Sequence, residues 1–319
     1  MSVDKLKDAV KQILNEVDIV IGYTEGFDKV HATPLFINTQ DKVDQLIWDQ
    51  RCVHNLASYL PSLKRKKVGV IVKGCDSRTI VQYIQEGLIN RENVKIIGLP
   101  CSGVISLKKL LKAVDFANID DITFEDNGNV NVKTEKETKT LSLMDIAPDK
   151  CKTCQYPTPL IYDILIGDPI KSDKPKESVY EDIIEFDKKS LEEKLAYWQK
   201  VFDRCIRCYA CRNACPMCVC QDSCIAESRE PHWISQRATL TEKFMFHLIH
   251  TVHLAGRCVE CGECERACPM GIPVNTLKRK INLEMKELFD YVPGVNPDDK
   301  PPMYTFNVDE LKIKEHKIG

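Results

Sequence analysis

The same spacing of four cysteines occurs twice between residues 205 and 268, and this repeat constrains the chain more than any other feature. Each copy has the form Cys-x-x-Cys-x-x-Cys-x-x-x-Cys-Pro. The cysteines of the first copy are Cys205, Cys208, Cys211 and Cys215, and those of the second are Cys258, Cys261, Cys264 and Cys268. Cysteines at such close spacing bind iron–sulfur clusters or zinc as thiolates, or they form disulfides.

Three close cysteines and a Cys-Pro ending are typical of bacterial ferredoxins, in which the fourth cysteine of one run binds the cluster of the other run. Zinc sites and disulfides predict neither the third close cysteine nor the proline, so the spacing favours two 4Fe-4S clusters. We expect crossed ligation. Cluster 1 is then held by Cys205, Cys208, Cys211 and Cys268, and cluster 2 by Cys258, Cys261, Cys264 and Cys215.

Length and charge limit the other functions of the chain. Its 319 residues suffice for two domains, and its 45 basic and 47 acidic residues leave no excess of positive charge for nucleic acid. The N-terminus lacks the features of a secretory signal, and no stretch has the ~20 apolar residues of a membrane span. We therefore expect a cytoplasmic protein whose sixteen cysteines stay reduced in an anaerobic host.

Strands and helices alternate in the first half of the chain, which predicts an α/β domain with a parallel sheet and crossover helices. The predicted strands cover residues 18–23, 68–72 and 94–99, and the predicted helices cover residues 3–16, 43–60, 77–86 and 106–114. Asn127-Gly128 lies between two alternating segments and predicts a β-hairpin added to this sheet.

Four cysteines of this half lie where a parallel sheet binds ligands. Cys75 and Cys101 each follow the end of a predicted strand, so neighbouring strands would bring both thiols to one crevice. Cys151 and Cys154 form a Cys-x-x-Cys pair further on. These four thiols are the candidate ligands of a third cluster, cluster 3. Cys52 stands alone, and we interpret it as a small buried hydrophobic residue.

The second half of the chain is predicted to be mainly α-helical. The predicted divisions are an α/β domain over residues 1–170, a linker over 171–189, a two-cluster ferredoxin-like domain over 190–290 and an extended C-terminal tail over 291–319. Ser190 and Glu193 form a capping box that begins a helix. Another helix, over residues 237–254, carries His247, His250 and His253, which we interpret as packing and surface residues.

Three cysteines remain between the two ferredoxin runs, and their role stays open at this point. Cys218, Cys220 and Cys224 follow Cys215, and a two-cluster ferredoxin needs none of them. One of them could replace Cys75 in cluster 3. Together with a distant thiol, the group could also hold a fourth cluster.

Four motifs of the first half together suggest a known family: Gly74-Cys75-Asp76-Ser-Arg78, Ile97-Gly-Leu-Pro-Cys101, Cys151-Lys-Thr-Cys154 and Gly167-Asp168. They resemble the β-subunit family of deazaflavin-coenzyme-reducing hydrogenases and related formate dehydrogenases. The ferredoxin pair, with the residues around Cys258 and Cys268, is similar to the form of this subunit found beside heterodisulfide-reductase-type flavoproteins. The resemblance implies an electron-transfer subunit whose α/β domain holds one cluster beside a flavin site. The sequence leaves FAD open, because it contains no G-x-G-x-x-G.

We therefore expect a subunit that relays electrons among 4Fe-4S clusters to or from other oxidoreductase subunits. As the resemblance implies, the partner would be a heterodisulfide-reductase-type flavoprotein, a hydrogenase or a formate dehydrogenase. The main alternative is an enzyme that binds FAD and exchanges hydride with a deazaflavin or nicotinamide carrier. A second alternative is a zinc-stapled scaffold protein.

Overall fold

The computed structural model describes residues 3–114, 119–220, 224–227 and 233–305. The strands of this part of the chain are β1 (Ile19–Glu25), β2 (Ala32–Ile37), β3 (Val68–Val72), β4 (Val94–Gly98), β5 (Ile119–Phe124), β6 (Asn129–Thr134), β7 (Thr138–Ser142) and β8 (Ile164–Leu165). The helices are α1 (Val3–Ile13), α2 (Gly74–Gln85), α3 (Leu107–Ala113), α4 (Leu143–Ile146), α5 (Asp149–Lys152), α6 (Glu181–Asp187), α7 (Leu191–Asp203), α8 (Ala210–Asn213), α9 (Leu240–Val252), α10 (Glu263–Ala267) and α11 (Val274–Phe289).

A mixed five-stranded sheet organises the first half, in the order β2-β1-β3-β4-β8. The pairs β1/β3, β3/β4 and β4/β8 are parallel, and among the described strands of this sheet only β2 runs antiparallel to its neighbour. Every residue of β3 is buried, as expected of a central strand that is covered on both faces. The three predicted strands are confirmed, and α1, α2 and α3 correspond to three of the four predicted helices. The edge strand β2 makes the sheet mixed rather than parallel.

Two predictions about this half are wrong in detail. No α-helix covers residues 43–60, because the segment forms short 3₁₀ turns over Gln40–Gln45, Leu56–Tyr59 and Pro61–Leu63. The Asn55 side chain accepts a hydrogen bond from the Ala57 amide, which starts a new turn and interrupts the helical pattern. Strands β5 and β6 pair antiparallel on either side of Asn127-Gly128, but together with β7 they form a separate sheet and add no strand to the five-stranded sheet.

The second half is mainly α-helical, and its cysteines lie inside its hydrophobic core. Ser190 and Glu193 form the predicted capping box at the start of α7. Phe202 of α7 and Phe246 of α9 pack in one core with cysteines of both ferredoxin runs. The predicted linker contains a helix, α6, whose Ile183 is buried. In the described part of the chain, no helix is both long and apolar enough to cross a membrane.

The two halves share packing and hydrogen bonds. Met217, Leu254 and Cys258 join the hydrophobic core formed on one face of the five-stranded sheet. The Tyr83 hydroxyl of α2 donates a hydrogen bond of 2.7 Å to the carbonyl of Pro216. The described start of the C-terminal tail also lies on α2, where the Arg78 guanidinium donates to the Pro293 carbonyl at 2.8 Å. Residues 306–319 of the predicted tail lie outside the described residues.

Candidate iron–sulfur sites

The predicted ligands of cluster 1 line one small cavity together with His247. They are Cys205, Cys208, Cys211 and Cys268. The fourth of these cysteines comes from the second run, so the structure brings together the crossed set that the spacing predicts. Cys208 is exposed, whereas the other three are buried. The backbone amides of Arg207 and Ile272 donate to the sulfurs of Cys205 and Cys268, each at 3.4 Å. These amides would stabilise negative charge on the sulfurs.

The two cysteine runs share an unusual backbone. A residue with positive φ precedes the second cysteine of each run, Arg207 at 52° and Glu260 at 56°. Another follows it, Tyr209 at 57° and Gly262 at 72°. Left-handed conformations are costly for residues other than glycine, so their occurrence at equivalent positions indicates that both loops are shaped for the same kind of ligand.

The predicted ligands of cluster 2 also lie near one another. The charges of Cys215 and Cys264 act on Cys258, and the charge of Cys215 acts on Cys261 and Cys264. Burial raises the pKa of the Cys258 and Cys261 thiols to about 12. A hydrogen bond from Cys218 instead holds the pKa of Cys215 well below its usual range.

The predicted ligands of cluster 3, Cys75, Cys101, Cys151 and Cys154, line a single cavity of about 880 Å³. Cys75 and Cys101 follow β3 and β4, which are parallel neighbours with Val72 opposite Gly98. Their thiols therefore reach the same edge of the sheet, as predicted. The amide of Cys101 donates at 2.9 Å to the carbonyl of Pro157, which joins this edge to the segment that carries the other two cysteines.

Basic side chains accompany these cysteines. The Lys73 ammonium lies 2.8 Å from the Asp76 carboxylate, and both side chains are almost fully buried. Lys150 Nζ donates at 2.5 Å to the carbonyl of Cys261 in the second ferredoxin run. Burial alone would lower the pKa of Lys150, but the negative charges of Cys75 and Cys151 outweigh burial and raise it. Lys150 thus lies between the cavity of cluster 3 and the cysteines of cluster 2.

Lys278 lies between the two ferredoxin groups. It is 1% exposed on α11, and its Nζ lies 3.4 Å from Nε2 of His250. Burial alone would lower its pKa, but the negative charges of Cys264, Cys215 and Cys258 outweigh burial and raise it. Burial raises the pKa of Cys211, a predicted ligand of cluster 1, to about 12, and the positive charge of Lys278 opposes this rise.

Of the three additional cysteines, Cys218 has the clearest surroundings. Its sulfur lies 3.3 Å from Nε2 of His250. Ligand atoms of Cys215, Cys218 and His250 all lie within 4.8 Å of one another. Cys220 is exposed and Cys224 is buried, and residues 221–223 between them lie outside the described residues.

His247 provides a test of whether these sites fit a bound group. It is 1% exposed, and neither ring nitrogen has a hydrogen-bond partner among the described residues. Burial lowers the pKa of His247 to about 3, so its ring is neutral and carries one N–H donor. A buried donor without a partner is costly, and the cavity that His247 lines is also lined by four cysteines. Four cysteine sulfurs as ligands and one N–H group as a hydrogen-bond donor fit a 4Fe-4S cluster.

Sequence reasoning identified the cysteines but missed the charged and polar groups among them. Lys73, Lys150 and Lys278 have no sequence signal of burial, since lysine is usually exposed. His250 was interpreted as a packing residue, and it is buried, yet its ring also contacts Cys218 and Lys278. Cys52 is completely buried in the sheet core, as predicted.

Parts of both halves of the chain match known protein families. Residues 204–272 match the family described as 4Fe-4S dicluster domain. Residues 65–182 match the family described as the C terminus of the beta subunit of Coenzyme F420 hydrogenase/dehydrogenase. The F420-dependent formate dehydrogenase subunit beta of Methanocaldococcus jannaschii is 27% identical, and the alignment covers 90% of each chain. The F420-dependent formate dehydrogenase 1 subunit beta of Methanococcus maripaludis is 26% identical, covering 90% of this chain and 88% of its own.

A solved structure, the xenon-derivatized F420-reducing NiFe hydrogenase complex from Methanosarcina barkeri, contains a chain that aligns at 21% identity with a TM-score of 0.38. The alignment covers 47% of this chain and 58% of that chain. A TM-score this low does not define the fold.

The dicluster domain and its cysteines define the class of the protein, which is an iron–sulfur electron-transfer subunit of an oxidoreductase. Within that class, the matches confirm the predicted resemblance to the β-subunit family of F420-reducing enzymes.

Proposed function

We propose that the chain relays electrons along three 4Fe-4S clusters, in the order cluster 3, cluster 2, cluster 1, to or from partner subunits. The observation that carries this proposal is the arrangement of the cysteines. Four of them surround one cavity in the α/β half, and Lys150 connects that cavity directly to Cys261 of cluster 2. Each bound cluster would supply one-electron redox chemistry, and the protein would set its potential through burial, charge and hydrogen bonds to sulfur.

The ligand sets of the proposal are those expected from the sequence. The shared cavity supports Cys205, Cys208, Cys211 and Cys268 for cluster 1. Mutual electrostatic interaction supports Cys258, Cys261, Cys264 and Cys215 for cluster 2. Cys75, Cys101, Cys151 and Cys154 would hold cluster 3.

The surroundings of Cys218 argue against two of the alternatives. Cys218 contacts Cys215 and His250 rather than the cavity of cluster 3, so Cys75 needs no replacement there. Its sulfur lies within 4.8 Å of the Cys215 sulfur, so it would be a neighbour of cluster 2 that supports the ligand Cys215. We therefore assign Cys218 no cluster of its own.

Electrons would enter or leave the dicluster domain near Cys208. It is the exposed member of the cluster 1 group, whereas the described cysteines proposed for cluster 2 are buried or half-buried. A partner protein would therefore approach cluster 1 most closely at this point. We propose that the partner is another oxidoreductase subunit, by analogy with the relatives named as β subunits of F420-dependent formate dehydrogenase.

The size of the cavity supports a second candidate function, in which the α/β half also binds a flavin. Its volume of about 880 Å³ lies within the ~300–1,000 Å³ typical of cofactor sites. Arg78 lines it with the guanidinium stacked over the Tyr156 ring at 4.9 Å, and its Nε has no hydrogen-bond partner among the described residues. Such a group could bind an anionic cofactor such as FAD beside cluster 3. In that case the α/β half would itself exchange hydride with a carrier.

Metal and flavin analysis of the anaerobically purified chain, together with a Cys154→Ala variant, tests the proposal. We expect ~12 irons for the intact chain and ~8 for the variant, because one cubane loses a ligand. Cys52→Ala is the matched control, since Cys52 is buried away from the cavity and its loss should leave the iron count unchanged. The same iron content in all three proteins would refute cluster 3. Stoichiometric FAD would favour the hydride-exchanging enzyme, and zinc in place of iron would exclude both functions.

A further inference from the structure

Two lysines occupy the intervals between the three groups of cysteines. Lys278 acts on cysteines of clusters 1 and 2, and its helix neighbour Leu277 packs in one core with Cys211 and Cys268. Lys150 lines the cavity of cluster 3 and donates to the Cys261 carbonyl of cluster 2. We propose that each lysine supplies a fixed positive charge that raises the reduction potentials of the two clusters flanking it. The inference rests on the proposed ligand sets and adds residues that none of those sets contains.

The position of Lys278 calls for negative charge nearby. Its side chain is 1% exposed, and no carboxylate of the described residues lies within ion-pair distance of its ammonium group. Its one hydrogen-bond contact in that part of the chain is with Nε2 of His250, at 3.4 Å. A buried ammonium without a counter-charge is strongly unfavourable. The ring of His250 that Lys278 contacts lies within 4.8 Å of the sulfurs of Cys215 and Cys218. Negative charge on the cysteine sulfurs would therefore compensate the lysine, and charge on Cys264 and Cys215 acts on it most strongly.

Helix α11 fixes Lys278 in this position. One turn further along the helix, the Asn282 side-chain amide donates at 2.7 Å to the carbonyl of Cys258. On the same helix, Arg279 forms an ion pair of 2.5 Å with Asp182. The helix is therefore held against the second cysteine run on one side and against α6 on the other. These contacts fix the backbone that carries Lys278 beside the cysteines.

Lys150 is fixed just as firmly. Its Nζ donates at 2.5 Å to the carbonyl of Cys261, and it directly precedes Cys151. Its side chain packs so closely on Gly262 that an added Cβ there would lie 2.9 Å from Cδ of the lysine. Among the charges that act on it, those of Cys75 and Cys151 come first, followed by Glu263 and Cys261. The lysine therefore faces the sulfurs of both clusters 3 and 2.

Reduction adds one electron, and so one negative charge, to a cluster. A positive charge held nearby in a medium of low dielectric stabilises the reduced form more than the oxidised form. Cluster 2 lies beside both lysines, whereas clusters 1 and 3 each lie beside one. The arrangement therefore predicts which potential each lysine changes: Lys278 acts on clusters 1 and 2, and Lys150 acts on clusters 2 and 3.

Redox titration of the full chain, followed by EPR under anaerobic conditions, tests this pattern. Lys278→Met removes the charge and keeps much of the volume, and it should lower the potentials of clusters 1 and 2 while leaving cluster 3 unchanged. Lys150→Met should lower the potentials of clusters 2 and 3 only. We expect at least a tenfold change in the ratio of oxidised to reduced cluster at fixed potential, which corresponds to about 59 mV. The signal of cluster 3 is identified by its loss in Cys154→Ala.

The controls separate charge from structure. Lys278→Arg keeps the charge and should leave the potentials close to those of the wild type. Lys280→Met removes an outer lysine of α11, which pairs with Asp187 and Glu284, and should change none of the cluster potentials. If Lys278→Met loses iron, Lys278→Gln is titrated in its place with the same two outcomes. Unchanged potentials in a variant that keeps its iron would overturn the lysine proposal and leave the relay intact. A wild-type chain without cluster 3 would instead defeat the relay.

Discussion

The buried ion pair between Lys73 and Asp76 should stabilise the first turn of α2, which carries Cys75. The two groups are 2.8 Å apart, and their side chains are 2% and 1% exposed. The ammonium also donates to the Tyr23 hydroxyl at 2.6 Å and to the His54 carbonyl at 2.8 Å. Asp76→Asn keeps the shape but leaves the lysine charge without its carboxylate. Breaking a buried pair in this way costs about 3–5 kcal/mol.

Hydrogen exchange of the α2 amides in the intact chain measures this cost. Since every 1.4 kcal/mol is a factor of about ten, amides protected by the pair should exchange roughly 10² to 4 × 10³ times faster in Asp76→Asn. Lys73→Met combined with Asp76→Asn removes both charges and should recover much of the protection, because no unpaired charge remains.

A surface pair provides the matched control. Lys11 and Asp44 are 3.8 Å apart with side chains 44% and 74% exposed, so Asp44→Asn should cost less than about 1 kcal/mol. If Asp76→Asn changes exchange no more than Asp44→Asn does, or if the double variant is worse than either single variant, the reasoning about the buried pair is wrong.

Three further changes have defined outcomes. Gly74→Ala would place a Cβ 1.6 Å from the carbonyl oxygen of Tyr156; it should displace the segment that carries Cys154 and lower the iron content by ~4 per chain. Ser190→Ala removes the cap of α7 and should cost about 1 kcal/mol, seen as faster exchange of the first amides of that helix. Burial lowers the pKa of His54 to about 4. The free energy of unfolding should therefore be highest above pH ~6.5 and should fall as the pH decreases toward 4, because the unfolded chain takes up the proton first. Between pH 7 and pH 5 the wild type should lose up to about 2 kcal/mol more of its free energy of unfolding than His54→Gln, as measured by denaturation.

Much of the candidate site follows from the sequence because cysteine spacing and strand order are local signals. The ferredoxin runs are complete within a few residues, and Cys75 and Cys101 come together because parallel neighbouring strands end at one edge. Strand β2 was not predicted, because it contains Pro34, which lies opposite Tyr23 in the sheet. Proline disfavours a strand in general, and β2 tolerates it as the edge strand.

The parts that sequence reasoning missed depend on contacts between distant segments. Lys278 resembles any other lysine of a basic helix until the packing of α11 buries it among cysteines of both runs. The apolar residues of 43–60 fit a helical period. In the structure, however, Val43 and Leu56 are buried in two separate 3₁₀ turns, because Asn55 caps the start of the second turn. Side-chain hydrogen bonds of this kind compete with the helix and leave no periodic trace.

A redox titration of the anaerobically purified wild-type chain, with iron and acid-labile sulfide measured on the same sample, tests the relay most directly. Three clusters with the proposed ligands predict ~12 irons, ~12 sulfides and three one-electron EPR transitions per chain. About 8 irons with two transitions would contradict the third cluster and the electron path through the α/β half.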